Sequence, residues 1–255
     1  MDTAPTAARQ IEGTPFKGQH AVVTGGTRGI GAAVCAELSR LGATVTAISR
    51  SASPPAIRAD VRDPDAVAAA FAAAVKQNGP IQILVNNAGA AGSAPFGRME
   101  LSHWREMIEI NLTSTFLCSR AVVPAMAKAR YGRIVNVASI TGLKGAAYIA
   151  AYTAAKHGVI GLTRALAVEL APVGVTVNAV CPSYTETDLL TNAVDNIVSK
   201  TGRTAEDVRK ELLVKSPLGR FITAQEVAQS VVWLALPGSA ALTGLAVPVA
   251  GGEVS

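Results

Sequence analysis

From His20 onward the chain alternates short β-branched runs with longer segments whose apolar residues recur at helical spacing. The runs 20–24 (HAVVT), 44–49 (TVTAIS), 81–86 (IQILVN), 132–139 (GRIVNVAS), 174–181 (GVTVNAVC) and 245–250 (LAVPVA) read as buried strands, with a further one at 56–61 (AIRADV). Between them, 29–42 reads as a helix stopped by Gly42, and 63–79 as one capped by Asp63, opened by Pro64 and closed by Gly79. Further helices are expected over about 102–129 and 150–171.

Strands that are apolar on both faces and separated by helices require a parallel sheet covered on both sides. The expectation is an α/β fold: a single doubly wound, Rossmann-type domain over 18–255, its parallel sheet of about seven strands flanked by helices. Residues 1–17, rich in Ala, Thr and Pro, are expected to form a flexible arm. One connection is irregular. Only RSASPP (50–55) joins the second strand to the third, and its two prolines exclude the usual crossover helix.

Composition removes several classes of function. Apolar residues make up 49% of the 255 and charged residues 16%, enough for a large core and against disorder. The net charge of +5 is spread along the chain and only 11 residues are Phe, Trp or Tyr, which argues against a nucleic-acid surface. No stretch of 18 apolar residues or signal-type apolar segment occurs, so neither secretion nor a membrane span is expected. Cys35, Cys118 and Cys181 have neither metal-ligand spacing nor an even number, and read as reduced core residues of a cytoplasmic protein. No acidic or histidine cluster has metal-ligand spacing. His20, His103 and His157 read as ordinary positions, each expected on a helix surface rather than in chemistry.

Candidate chemistry begins at VVTGGTRGIGAAV (22–34), a glycine loop between the first strand and the first helix. Gly25 can make the tight turn, Gly29 admits a pyrophosphate close to the backbone, and Gly31 lets helix pack against strand, while the helix N-terminus supplies N–H groups to phosphate. A dinucleotide is therefore expected. At the tip of the second strand stand Ser49 and Arg50, with Arg28 in the loop and no carboxylate. Two guanidiniums suit a 2′-phosphate, so NADP(H) is preferred, with NAD(H) as the alternative.

The segment YIAAYTAAK (148–156) spaces Tyr148, Tyr152 and Lys156 four apart, which stacks them on one side of a helix if the whole segment is helical. Of the four tyrosines, only Tyr152 has a lysine four residues on.

Taken in order, TGGTRGIG (24–31), NNAG (86–89), INLTSTF (110–116), GRIVNVAS (132–139), YTAAK (152–156) and VNAVCP (177–182) resemble the short-chain dehydrogenase/reductase family in its compact single-domain form. The likeness spans nearly the whole chain from about Lys17. It implies a catalytic tetrad of Asn111, Ser139, Tyr152 and Lys156. It also implies cofactor contacts from Gly25, Thr27, Arg28, Gly29, Ile30 and Gly31, from Ser49 and Arg50, from Asp60 and Val61 beside the adenine, from Asn87, Ala88 and Gly89, and from Tyr152, Lys156, Pro182 and Thr187. Ser183 departs from the glycine usual after that proline, and the short 50–55 connection is a second departure.

In that scheme Tyr152 is the general acid/base, because an ammonium one turn away favours the phenolate of a group whose free pKa is about 10. Ser139 would hold the substrate oxygen. By resemblance alone, Lys156 also holds the nicotinamide ribose, and Asn111 anchors a water linking it to solvent.

Residues 183–220 are expected to carry a helical lid over the strands' C-terminal edge. Its six basic and six acidic residues balance. Residues 111–168 hold seven basic groups and no acidic one; Arg130 is the candidate to dock an acyl carrier, with solvated helix charge as the plainer reading.

Ser139, Ile140, Leu143, Tyr148, Tyr152 and Leu189, with Ala146 and Leu190, would line a pocket for a small-molecule carbonyl or alcohol with a hydrophobic body. A 3-oxoacyl thioester or similar ketone fits, and the resemblance implies a homotetramer paired through 102–129 and 150–171. Two other readings stay open: an NAD(H)-dependent secondary-alcohol or 3-hydroxyacyl dehydrogenase of a breakdown pathway, and a cofactor-sensing protein without turnover.

Overall fold

Alternate residues of each central strand feed two separate cores, one on each face of the sheet. Val22, Leu84 and Ile134 enter one, while Ala21, Val23, Ile83, Val85 and Val135 enter the other. The computed structural model describes residue 11 and residues 13–254. Its strands are β1 (His20–Thr24), β2 (Thr44–Ser49), β3 (Ile57–Arg58), β4 (Ile83–Asn86), β5 (Gly132–Val137), β6 (Val175–Pro182) and β7 (Ala246–Val249). They form one sheet in the order β3-β2-β1-β4-β5-β6-β7, and every pairing is parallel. Helices α1 (Gly29–Arg40) and α8 (Ala224–Ala235) cover one face; α2 (Pro64–Asn78), α4 (Ser114–Ala129) and α5 (Ala150–Leu170) cover the other.

Local signals explain most boundaries. Asp63 accepts from the N–H groups of Asp65 and Ala66, and α2 ends at Gly79 with φ +81°. Thr223 and Glu226 close a capping box at the start of α8. The 50–56 connection carries no helix, and the two-residue β3 that follows it lies parallel against β2.

Three expectations need correction. The arm predicted to Lys17 is too long: Phe16 is fully buried among Leu38, Leu41 and Ala235, although residues 1–10 and 12 lie outside the described residues. The single helix expected over 102–129 is α3 (Leu101–Ile108), a π-helical turn (Glu109–Thr113), then α4. His20 is no surface residue but is 2% exposed at the foot of β1, its ring nitrogens paired with the Gly79 carbonyl (2.9 Å) and Thr46 Oγ1 (2.8 Å).

The strand order reverses at β1, whose neighbours are β2 and β4. In such sheets ligands bind at the carboxyl edge of this switch point. Two helices from the 183–220 segment stand there, α6 (Asp188–Thr201) and α7 (Ala205–Val214), held by their own core of Leu190, Val194, Val208, Leu212 and Phe221.

Candidate active site

An open cleft lies at the switch point, lined by the glycine loop on one side and the start of α6 on the other. Gly25 turns the chain at φ +65°, and a Cβ there would lie 2.8 Å from Asn87 Nδ2. Gly31 is held by close approach instead: a Cβ would meet the Gly25 carbonyl oxygen at 2.2 Å. Asn87 braces the loop from β4, its Nδ2 donating to the carbonyls of Thr24 (3.0 Å) and Gly25 (3.2 Å), while Thr24 Oγ1 accepts from Asn87 and Ala88 N–H. Arg28, the N-cap of α1, makes no side-chain cap, and the first turn carries no acidic residue. Those N–H groups and the helix dipole therefore face the cleft uncompensated, which suits phosphate.

Most of the expected cofactor residues line this cleft: Gly25, Thr27, Arg28, Gly29 and Ile30 from the loop, Ser49 and Arg50 from β2, Val61, the Asn87–Gly89 turn, and Thr187. Gly31, Asp60, Tyr152, Lys156 and Pro182 do not. The Asp60 carboxylate is gripped by the Arg62 guanidinium (2.6 Å and 3.0 Å), which holds its pKa down. Sequence reasoning missed Asp188 and Asn192, which line the lid side. Asp188 is 3.8 Å from the Arg28 guanidinium, with both side chains exposed, whereas Arg50 has no carboxylate partner among the described residues. Glycine backbone, an uncapped helix start and the Arg50 guanidinium together fit a dinucleotide phosphate.

The tetrad residues converge beyond the Asn87–Gly89 turn. Ser139 follows β5 and caps the short turn Ile140–Gly142; its Oγ accepts from Thr141 N (3.2 Å) and Thr141 Oγ1 (3.0 Å). The Ser139 hydroxyl is also close to the Tyr152 phenol and acts to lower that group's pKa. Burial outweighs this and pushes Tyr152 up to about 12. Lys156, on α5, is 5% exposed and donates to the Val137 carbonyl at 2.9 Å, with Nζ 5.6 Å from the Tyr152 ring centre. Burial brings it down to about 8. The expected depression of the tyrosine by the lysine is thus not the dominant effect here, since both groups are shifted mainly by loss of water.

Asn111 owes its place to the π-helical turn. Its Nδ2 donates to the Met107 (3.0 Å) and Ala90 (2.9 Å) carbonyls, and its Oδ1 accepts from Ala90 N (3.3 Å). The Ser114 and Thr115 hydroxyls bond the Ile110 and Asn111 carbonyls, satisfying groups that the wider turn leaves short of partners. A Cβ on Gly89 would meet Asn111 Oδ1 at 2.7 Å and Lys156 Nζ at 3.7 Å, so these groups share one small space.

The expected substrate residues divide. Leu189 lines the cleft and is 45% exposed. Leu190 turns into the lid core, Ile140 is 5% exposed, and Leu143 packs against the cluster of Val159 and Ile160. The three-rung ladder fails: α5 begins at Ala150, so Tyr148 precedes it at φ +67°, 67% exposed, its carbonyl accepting from Ala94 N (2.8 Å). Arg130 ends α4 at φ +51° and spends a guanidinium N–H on the Pro172 carbonyl (3.0 Å). His157 is exposed, as expected.

Comparisons with known proteins give the family. The family model described as short chain dehydrogenase matches residues 19–197. The chain is 38% identical to the granaticin polyketide synthase putative ketoacyl reductase 1 of Streptomyces violaceoruber, over 99% of this chain and 98% of that one. It is 39% identical to the 3-oxoacyl-(acyl-carrier-protein) reductase of Pseudomonas aeruginosa, over 93% and 98%. The crystal structure of an actinorhodin polyketide ketoreductase variant with NADPH superposes with a TM-score of 0.89 at 34% identity, over 95% and 99%. The chain belongs to the short chain dehydrogenase family and is an oxidoreductase acting on CH–OH and keto groups with a nicotinamide cofactor.

Proposed function

We propose that the protein is an NADPH-dependent reductase of a 3-oxoacyl thioester or similar hydrophobic ketone, acting in the cytoplasm as a homotetramer. The observation that carries this reading is the Ser139 hydroxyl beside the protonated phenol of Tyr152, together with a cleft whose β2 tip offers Arg50 and no carboxylate. The similarity to ketoacyl reductases and to a ketoreductase with NADPH supports both substrate class and cofactor.

The bound dinucleotide supplies the hydride. The protein's part is to hold the ketone and manage one proton. Ser139 donates a hydrogen bond to the carbonyl oxygen and keeps it within reach of Tyr152. A phenol with a pKa near 12 is fully protonated at neutral pH, so Tyr152 is ready as a proton donor. Its O–H proton passes to the alkoxide oxygen as the C–H bond forms, leaving a phenolate. Lys156, a cation in a dry site, stabilises that anion far more than it would in water. Asn111 leads the replacement proton toward Lys156. The exposed apolar side chains Phe116 on α4 and Val168 on α5 would be covered in the tetramer.

Steady-state turnover on a panel of ketones and 3-oxoacyl thioesters, with both cofactors, tests the proposal. NADPH-driven reduction is expected, lost in Tyr152→Phe without loss of NADPH binding. Appreciable turnover by that variant would remove Tyr152 from its role; oxidation of alcohols alone, with NAD⁺, would overturn the direction and cofactor.

A further inference from the structure

The last described residues of the chain bear on the site. Beyond β7 the backbone turns at Ala250, whose carbonyl accepts from Glu253 N (3.1 Å). The Glu253 side chain is then buried, 5% exposed, at the sheet's carboxyl edge. Oε1 pairs with Lys144 Nζ at 3.0 Å, and Oε2 accepts the Ser183 hydroxyl proton in a short hydrogen bond. These partners lie on the two segments that flank the tetrad. Lys144 closes the turn that starts at Ser139, its N–H bonded to the Ile140 carbonyl (3.0 Å). Ser183 directly follows Pro182 and is tied through its own N–H to the Val249 carbonyl (3.1 Å). A glycine at 183 could make no such side-chain bond. The tail is also wedged from outside, since a Cβ on Gly251 would meet Leu218 Cβ at 2.8 Å.

A buried carboxylate is kept only where its charge is balanced and both oxygens are bonded. We propose that Glu253 is a positioning residue, whose carboxylate ties the Ser139 turn and the Pro182–Ser183 segment to the C-terminal tail and so fixes the two walls between which the ketone lies. Burial, and after it the nearby Glu253 carboxylate, push the Tyr184 phenol's pKa up. Glu253 touches neither the Tyr152 nor the Ser139 hydroxyl. Its loss should therefore weaken ground state and transition state alike, a change in KM rather than kcat. This inference rests on the ketone reading above.

The test compares Glu253→Gln, Ser183→Ala and Lys144→Met with the full-length wild type. Ketone KM should rise about fivefold or more in Glu253→Gln, with kcat and the NADPH Kd within about twofold. Glu253→Gln/Lys144→Met should be no worse than the poorer single variant, because both break one contact. Lys144→Arg, which keeps a cation, should recover most of what Lys144→Met loses. Hydrogen exchange of the NADPH-loaded protein gives a readout independent of turnover: Glu253→Gln should speed exchange over both 140–145 and 250–254. A ketone KM within twofold of wild type, a matching rise in NADPH Kd, multiplying effects or unchanged exchange would each overturn the latch. Absence of turnover by the wild type with every ketone would overturn the reaction instead, and the exchange result would still decide the latch.

Discussion

Lys156 makes the proposed proton transfer sensitive to pH in a direction opposite to habit. A lysine in water loses its proton near 10.5, but burial brings this one to about 8 and no carboxylate restores it. Tyr152, pushed up to about 12, stays protonated throughout the working range. Because the folded value of the lysine is lowered, the cation is present below about 8 and lost as pH rises through it. With a value of 8, about 90% of Lys156 is charged at pH ~7 and about 10% at pH ~9. If the phenolate formed in the transition state needs that charge, kcat/KM for ketone reduction should be flat below pH ~7 and fall about tenfold between pH ~7 and ~9. The measurement is the initial rate of NADPH consumption at subsaturating ketone, in overlapping buffers of constant ionic strength. Lys156→Arg carries a charge that does not titrate in this range, so any activity it retains should show no alkaline limb. A wild-type limb that appears only above pH ~10, or one that persists in Lys156→Arg, would refute the argument that a desolvated lysine carries the pH dependence.

Two other consequences follow from the cleft. Arg50→Ala removes a guanidinium with no competing carboxylate, so kcat/KM with NADPH should fall about tenfold while that with NADH stays within about twofold; a charge-assisted hydrogen bond on an exposed group is worth roughly that. Equal loss with both cofactors would show that Arg50 does not read the 2′-phosphate. Gly31→Ala places a Cβ 2.2 Å from the Gly25 carbonyl oxygen, backbone that cannot step aside. It should cost about 3 kcal/mol or more and lower Tm by roughly 6–12 °C, read by thermal unfolding, and weaken dinucleotide binding besides. A Tm within about 2 °C of wild type would mean that the loop relaxes freely.

What the sequence exposes and what it hides follow from one physical distinction. Elements set by local rules are legible: β1 and β2 fall at the predicted residues, and Asp63, Pro64 and Gly79 bound α2 where their capping chemistry requires. Most of the cleft lining and the one-turn spacing of the proposed Tyr152–Lys156 couple are legible too, because the glycine loop and that pair each sit within a short stretch of sequence. The remainder depends on contacts between distant segments. The sequence pattern makes the strands apolar on both faces, yet Asn86 and Asn136 sit opposite each other in β4 and β5, bonded at 2.8 Å and extended to Ser119 and Thr163. A buried asparagine reads as polar in a window average, and only the register shows where the Asn86 and Asn136 amides find acceptors, the Asn86 Oδ1 being left without a partner among the described residues.

Tyr148 illustrates the same limit. Its spacing from Tyr152 matches a helical turn, but the Ala94 N–H binds its carbonyl and holds it outside the helix, and nothing near 148 in sequence announces residue 94. The π-helical turn at Asn111 is harder still. Periodicity reads one continuous helix because the widened turn displaces the pattern by a single residue, within the noise of an alanine-rich segment. Yet that residue is what turns the Asn111 amide toward Ala90 and Gly89. Where an extra residue is accommodated in a helix, the freed carbonyls need new donors, and Ser114 and Thr115 supply them. Hydroxyls three and four residues after an asparagine within an unbroken helical pattern are therefore the local trace of such a turn, and NLTST carries it in plain view.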